Sequence, residues 1–299
     1  MRPQTLGVHA LVWTGTWDAD SARRTAANTR ACGYDRLEIP LLDAWDVDTA
    51  ETRRALDDHE LAMTGNLFLT EGTDITSEDP DAVAAGERRL SQGVETVRHL
   101  GGDYLTGTVY SKLGRYAGPV TPRGRAQCVE VLRRVASRAA DAGIRLGIEI
   151  CNRYETNLIN TAVQAVELIK EIDRPNVCVH LDTYHMSIEE SDMVRPVLTS
   201  GDLLGYVHIG ESHRGYPGSG RTDFAAFFRA LALVGYAGPI TFEAFSSAVV
   251  EPELSNALCI WRDLWTDSED LARHAHGFIE TQIRAAEAAT SNSSPRGGK

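Results

Sequence analysis

The chain has 299 residues, of which 42% are hydrophobic, and it carries a formal net charge of −12 with a pI near 5.2. This composition is that of an ordinary globular protein, and the acidic balance argues against nucleic-acid binding, which requires a basic face. No apolar segment approaches the roughly 20 residues of a membrane span, and the N-terminal sequence MRPQTLGV lacks a signal-peptide profile. We therefore expect a cytoplasmic protein. Five widely spaced cysteines without a CxxC pair indicate reduced, mostly buried thiols.

Short apolar runs alternate with helical patterns along the chain. Strands are predicted at residues 5–13, 35–40, 61–69, 104–110, 146–150, 177–182, 204–209 and 239–245. Helices are predicted at residues 21–32, 46–59, 80–99, 121–142, 161–174, 191–198, 224–234 and 267–289. Eight such pairs predict a single-domain α/β fold, a (β/α)₈ TIM barrel over residues 1–289, with a disordered polar tail at 290–299. A doubly wound open sheet is the alternative, but the first strand lacks its glycine fingerprint.

Residues 146–186 form one complete βαβ unit in which each strand ends on an acid, Glu149 and then Asp182. A carboxylate at the end of a buried strand needs a cation or a hydrogen-bonding partner. Either acid alone could cap a helix or form an ion pair. Two acids on successive strand ends favour a functional site. Cys151 lies close to Glu149 in sequence, and we interpret it as a structural thiol on the opposite strand face.

The active site of a TIM barrel lies at the carboxyl ends of its strands. The last four predicted strands each place one potential metal ligand there, in the order Glu149, Asp182, His208 and Glu243. His208 alone could be a core histidine. Together, three carboxylates and one imidazole suit Mn²⁺, and also Co²⁺ or Mg²⁺, better than a closed zinc site.

The fifth and eighth strands lie three places apart around the barrel, so Glu149 and Glu243 should flank a substrate at its mouth. Two carboxylates on opposite sides of one carbon can remove a proton from one face and return it to the other. A metal beside the neighbouring carbonyl would stabilise the enediolate formed between these steps. His185 and His213 lie in predicted rim loops and are further candidates, whereas His180 could fill the barrel interior.

Four segments, LGIEICNRYETNLINT, VHLDTYHMSIEESDM, YVHIGESHRGYPGSG and ITFEAFSS, resemble the ketose 3-epimerases of the xylose-isomerase-like barrels. The resemblance covers nearly the whole chain and is strongest to the L-ribulose and D-allulose branch. It implies a metal-dependent isomerase that interconverts free ketoses at C3, with pairs such as L-ribulose/L-xylulose, D-allulose/D-fructose and D-tagatose/D-sorbose. It also implies a homodimer or homotetramer. The apolar stretch of Leu258, Trp261, Leu264 and Trp265 could contribute to its interface, or could equally be core.

The resemblance also assigns roles to individual residues. It makes Glu149, Asp182, His208 and Glu243 ligands of Mn²⁺ or Co²⁺, and it makes the two glutamates the residues that deprotonate and reprotonate C3. It further implies sugar contacts by Glu155, His185 and Arg214. Trp13 and Phe68 are additional candidates for the substrate pocket. Relatives tend to carry glycine where this chain has Phe68, which could reshape the pocket or simply pack away from it.

Several other functions use the same barrel. An aldose–ketose isomerase or a polyol dehydratase would need the same ligands, and a sugar-phosphate epimerase could use the arginines of RGYPGSGR. An abasic-site endonuclease would require more histidine ligands and a basic face. A non-catalytic sugar-binding barrel would not need both glutamates.

Overall fold

The computed structural model describes residues 5–42 and 47–293. Within these residues, eight parallel strands close into a barrel in the order β1 to β8, and β8 pairs with β1 through Ile240 and Leu6. This confirms the predicted (β/α)₈ TIM barrel. The strands are β1 Leu6–His9, β2 Arg36–Pro40, β3 Ala62–Asn66, β4 Tyr104–Thr106, β5 Arg145–Glu149, β6 Val177–Asp182, β7 Leu204–Ile209 and β8 Ile240–Phe242.

Helices surround the barrel and pack their apolar faces against it. They are α1 Ala19–Ala31, α2 Thr49–Asp58, α3 Pro80–Leu100, α4 Pro122–Asp141, α5 Ala162–Ile172, α6 Thr183–Glu189, α7 Arg195–Ser200, α8 Phe224–Leu233, α9 Pro252–Ala257 and α10 Ser268–Ser293. Their starts follow from the sequence. Asp79 caps α3 ahead of Pro80, and Thr161 forms a capping box with Gln164 at the start of α5.

The structure differs from the sequence prediction around β6. The predicted helix at 191–198 is replaced by α6 and α7, and α6 begins immediately after the strand. Asp182 ends β6 and also caps α6, since its side chain accepts a hydrogen bond of 2.7 Å from the backbone N–H of Tyr184. Because Asp182 both ends the strand and caps the helix, no turn residues separate these two elements in the sequence.

Other differences are shifts of element ends. The third predicted strand ends at Asn66 rather than at residue 69, and the last helix continues to Ser293, past the predicted boundary at 289. The predicted start of α2 at residue 46 and the tail residues 294–299 lie outside the described residues.

The barrel interior carries a column of polar side chains that leads from the amino ends of the strands to the mouth. Arg36 is 3% exposed and pairs with Asp103, at 2.5 Å and 2.9 Å, near the lower end. Glu38, Tyr206 and His180 lie above it, each fully buried. Within this column, Glu38 accepts a hydrogen bond from the Tyr206 hydroxyl at 2.7 Å.

All five cysteines are free thiols, four of them buried, as the sequence predicted. The search for spanning helices, made over the described residues, found none that is both long and apolar enough to cross a bilayer.

Candidate active site at the barrel mouth

The four predicted metal ligands meet at the carboxyl end of the barrel. One potential ligand atom from each lies within 4.8 Å of those from the others, and all four side chains are buried. Strand register accounts for this arrangement, because Asp182 and His208 are paired residues on β6 and β7. The residues contributing these atoms are Glu149, Asp182, His208 and Glu243.

His208 presents one nitrogen to the carboxylates. Its Nδ1 lies 3.3 Å from Glu149 and 3.5 Å from Glu243, yet it is buried and makes no hydrogen bond within the described residues. A buried imidazole nitrogen without a partner, enclosed by carboxylate oxygens, is a donor set that fits a divalent cation. The residues present therefore fit the metal that the sequence implies.

The two glutamates differ in their electrostatic environment. Burial, reinforced by the nearby Glu243 and Asp182 carboxylates, raises the pKa of Glu149 to about 7, although His208 acts in the opposite direction. Burial also acts to raise the pKa of Glu243, but His208 and then Arg214 outweigh it and hold that pKa well below its usual range. Two carboxylates whose pKa values are pushed apart are suited to act as acid and base in one reaction.

Arg214 is the principal positive charge at this site. Its Nη1 donates to Glu243 at 2.5 Å and to Asp182 at 3.0 Å, and its guanidinium lies 3.9 Å from the centre of the Tyr184 ring. The loop that carries it is fixed by Glu211, whose carboxylate accepts hydrogen bonds from the backbone N–H groups of three loop residues, Ser212, Gly218 and Thr222. Arg214 itself has a positive φ of 62°, a strained conformation of the kind that is often found at functional sites.

His185 and Glu155 lie beside the arginine and are oriented by Asn152. The backbone N–H of Asn152 donates to His185 Nδ1 at 3.2 Å, and its side-chain amide donates to Glu155 at 2.8 Å. Because Nδ1 accepts, the neutral imidazole carries its hydrogen on Nε2. Burial, reinforced by Arg214, lowers the pKa of His185 well below its usual value. His185 therefore offers a neutral N–H donor 3.6 Å from Asp182.

A cavity opens above the ligands, and part of its wall is apolar. Phe68 is part of this wall, together with Leu113, so it faces the site instead of packing away from it. A second cavity of about 230 Å³ adjoins the first, with Glu155 and Arg214 lining both. The other predicted pocket residue, Trp13, is half-buried against the core and is not among the described residues that line either cavity.

Comparison with known proteins identifies the family. Residues 26–282 match the model of the xylose isomerase-like TIM barrels. The chain is 50% identical over 274 residues to an L-ribulose 3-epimerase from Methylomonas sp. (strain DH-1), covering 92% of this chain and 96% of the relative. It is 48% identical to a ketose 3-epimerase from Arthrobacter globiformis, covering 94% and 97%. The chain belongs to the ketose 3-epimerase family.

A solved ketose 3-epimerase shares its architecture closely. The crystal structure of a Methylomonas D-allulose 3-epimerase in complex with D-allulose superimposes with a TM-score of 0.91 at 49% identity, covering 93% of this chain and 97% of that one. Proteins named L-ribulose or ketose 3-epimerase are isomerases, so this chain is an enzyme of the isomerase class.

The cavity of the present chain also contains residues that the sequence interpretation missed. His9 lines the cavity 3.9 Å from Glu243, and Asn66 lines it from the end of β3. Glu38 lies beneath the ligands and contacts His208. The interpretation of Cys151 was wrong. Residues two apart in an extended segment point to the same side, and Cys151, which lies just beyond β5, lines the same cavity as Glu149.

Proposed function

We propose that the protein is a divalent-metal-dependent ketose 3-epimerase that acts on free ketoses. The expected pairs are L-ribulose/L-xylulose, D-allulose/D-fructose and D-tagatose/D-sorbose. The observation that carries the proposal is the pair of buried glutamates, Glu149 and Glu243, which meet with Asp182 and His208 in one cluster that could hold a cation. The identities and coverage of the relatives named L-ribulose and ketose 3-epimerase support it.

The divalent cation would be held by the four residues of the cluster, with Mn²⁺ the expected ion and Co²⁺ or Mg²⁺ able to replace it. When bound, it would polarise the ketose carbonyl and so acidify the proton on the neighbouring C3. The preference follows from a ligand set of three carboxylates and one imidazole, which suits hard and intermediate cations. Loading the metal-free protein with each ion in turn tests the preference.

The two glutamates would exchange protons with opposite faces of C3. The ionised one accepts the C3 proton, C3 becomes planar, and the protonated one delivers a proton from the other side. Because the reaction is reversible, the two residues exchange roles between the forward and reverse directions. Arg214 and the Nε2–H of His185 would donate hydrogen bonds to sugar oxygens, and Glu155 would accept one from a sugar hydroxyl. Phe68 bounds the pocket on its apolar side.

Solvent exchange tests this proposal. With Mn²⁺ and L-ribulose or D-allulose in D₂O, the enzyme should yield the C3 epimer and introduce deuterium at C3. Glu149→Gln and Glu243→Gln should each abolish the exchange while the protein remains folded. Glu87→Gln is the matched control, since Glu87 lies on α3 and pairs with Arg134 away from the mouth.

Three other outcomes would contradict the proposal. An aldose product would identify an aldose–ketose isomerase, and sugar binding without any exchange would identify a non-catalytic sugar-binding barrel. Turnover only of phosphorylated sugars would replace the free ketose by a sugar phosphate.

We also propose that the protein is a homodimer or homotetramer. In the apolar stretch predicted to contribute, Trp265 is buried, and Trp261 is 72% exposed. An indole with that exposure is more typical of an interface than of a monomer surface. Sedimentation of wild type and Trp261→Ala would test this, with a monomeric wild type contradicting it. A cytoplasmic location stays a prediction from the sequence.

A further inference from the structure

Glu38 is a buried carboxylate that neither the sequence interpretation nor the proposed proton transfers use. It lies in the middle of β2, has no exposed surface, and reaches across the barrel interior to β7. A carboxylate in such a position is costly unless its oxygens are satisfied and its charge is compensated.

Both Glu38 oxygens are held by hydrogen bonds. Oε1 accepts from the side-chain amide of Asn66 at 2.8 Å, and Oε2 accepts from the Tyr206 hydroxyl at 2.7 Å. Each oxygen also lies close to His208 Nε2, at 3.0 Å and 2.9 Å. These contacts fix the carboxylate on two sides, so it cannot rotate away from the imidazole.

The contact determines which histidine nitrogen can bind a cation. An ionised carboxylate only accepts hydrogen bonds, so His208 Nε2 must carry the hydrogen. With its hydrogen on Nε2 and donated to Glu38, the neutral imidazole has its lone pair on Nδ1, directed at the cluster of Glu149 and Glu243, where it would be a ligand of a divalent cation. A carboxylate behind a ligating imidazole also makes the imidazole a stronger donor.

We propose that Glu38 is a positioning residue for the divalent cation, which fixes the tautomer and orientation of His208 without contacting the substrate. The inference rests on the proposed function in assuming that the four-residue cluster binds a divalent cation. The negative charge of Glu38 on β2 therefore contributes to metal affinity, and not only to the stability of the barrel.

The test measures metal binding directly. Titration of metal-free protein with Mn²⁺ by calorimetry should give a dissociation constant about 10- to 100-fold higher for Glu38→Gln than for wild type. The visible absorption spectrum of Co²⁺ bound to the variant should also shift, since the donor strength of His208 changes. Glu38→Asp keeps the negative charge but moves it away from Nε2, so it should also weaken metal binding. This variant provides the test if Glu38→Gln fails to fold.

Tyr206→Phe is the matched control. It removes the hydroxyl that donates to Glu38 Oε2 and leaves the contact with His208 in place, so metal affinity should change less than about threefold. Affinity of folded Glu38→Gln within threefold of wild type, with an unchanged Co²⁺ spectrum, would overturn the inference. Equal weakening by Tyr206→Phe would also overturn it, by showing that the whole interior network determines affinity. A wild-type protein that binds no divalent cation would overturn the proposed function and this inference together.

Discussion

Arg214 Nη1 lies 2.5 Å from Glu243, so the arginine expected to bind the sugar directly contacts a carboxylate expected to bind the metal. The same nitrogen is 3.0 Å from Asp182. In the metal-free protein, the guanidinium therefore compensates part of the negative charge that the divalent cation would otherwise compensate. Metal affinity and sugar affinity should consequently be coupled through this one side chain.

Replacing Arg214 by glutamine should affect the two ligands in opposite directions. Loss of the positive charge should tighten Mn²⁺ binding. If the binding free energy becomes more favourable by about 1.4 kcal/mol, the dissociation constant falls tenfold. Loss of the guanidinium should raise the KM for the ketose. Calorimetry with Mn²⁺ and steady-state kinetics at saturating Mn²⁺ measure the two effects separately. Weaker binding of both ligands would indicate that Arg214 holds the site together instead of opposing the cation.

The raised pKa of Glu149 makes the stability of the metal-free protein depend on pH. The pKa is about 7 in the fold against an ordinary value of 4.5 for a glutamate. The native state therefore keeps a proton that the unfolded chain loses, and stability falls as pH rises between these values and levels off above pH 7. A pKa difference of this size corresponds to a change of roughly 3 kcal/mol in the free energy of unfolding.

Glu149→Gln should remove this dependence. In EDTA at pH 8, the variant should be more stable towards urea than wild type, whereas at pH 4.5 the two should be similar. Urea unfolding at several pH values measures the difference. A variant less stable than wild type at pH 8 would show that the ionised carboxylate is favourable in the metal-free fold.

Metal removal should destabilise the wild-type protein. A ligand that binds only the native state stabilises it by about 2.7 kcal/mol at 100 times its dissociation constant. For a chain of this size we expect a fall in Tm of roughly 5–10 °C on chelation, restored by Mn²⁺. Asp182→Asn removes one ligand and should abolish the Mn²⁺-dependent shift. A shift that persists in this variant would place the stabilising metal elsewhere.

Phe68 should influence which sugars are accepted. Phe68→Ala would enlarge the cavity on its apolar side, and a change in pocket size of this kind is worth about tenfold in substrate discrimination. We expect kcat/KM for ketohexoses to rise relative to that for L-ribulose. Tyr154→Ala is a suitable control, because Tyr154 is 63% exposed and lies outside the cavity lining. An unchanged ratio would show that the Phe68 ring does not limit the substrate.

The sequence alone determined the barrel and the four-residue cluster. Alternating strand and helix patterns are local, and the position of an acid at a strand end is visible without any tertiary contact. In a parallel barrel all strand ends share one rim, so Asp182 and His208 could be brought together from their order in the chain. The sugar-binding roles of Arg214, His185 and Glu155 required the family resemblance, because these residues lie beyond the strand ends, in loops and on α6, where strand periodicity does not fix their direction.

Only the tertiary structure decided which residues support that cluster. Glu38 and His208 are 170 residues apart and meet because barrel closure directs side chains of β2 and β7 into the same interior. Within a strand, an inward-facing acid and an outward-facing one look alike until the register is fixed. The wrong face for Cys151 had a different cause, because residues two apart in an extended segment point to the same side whatever the register. The positions of possible ligands were thus encoded locally, whereas their orientation and charge depend on contacts across the barrel.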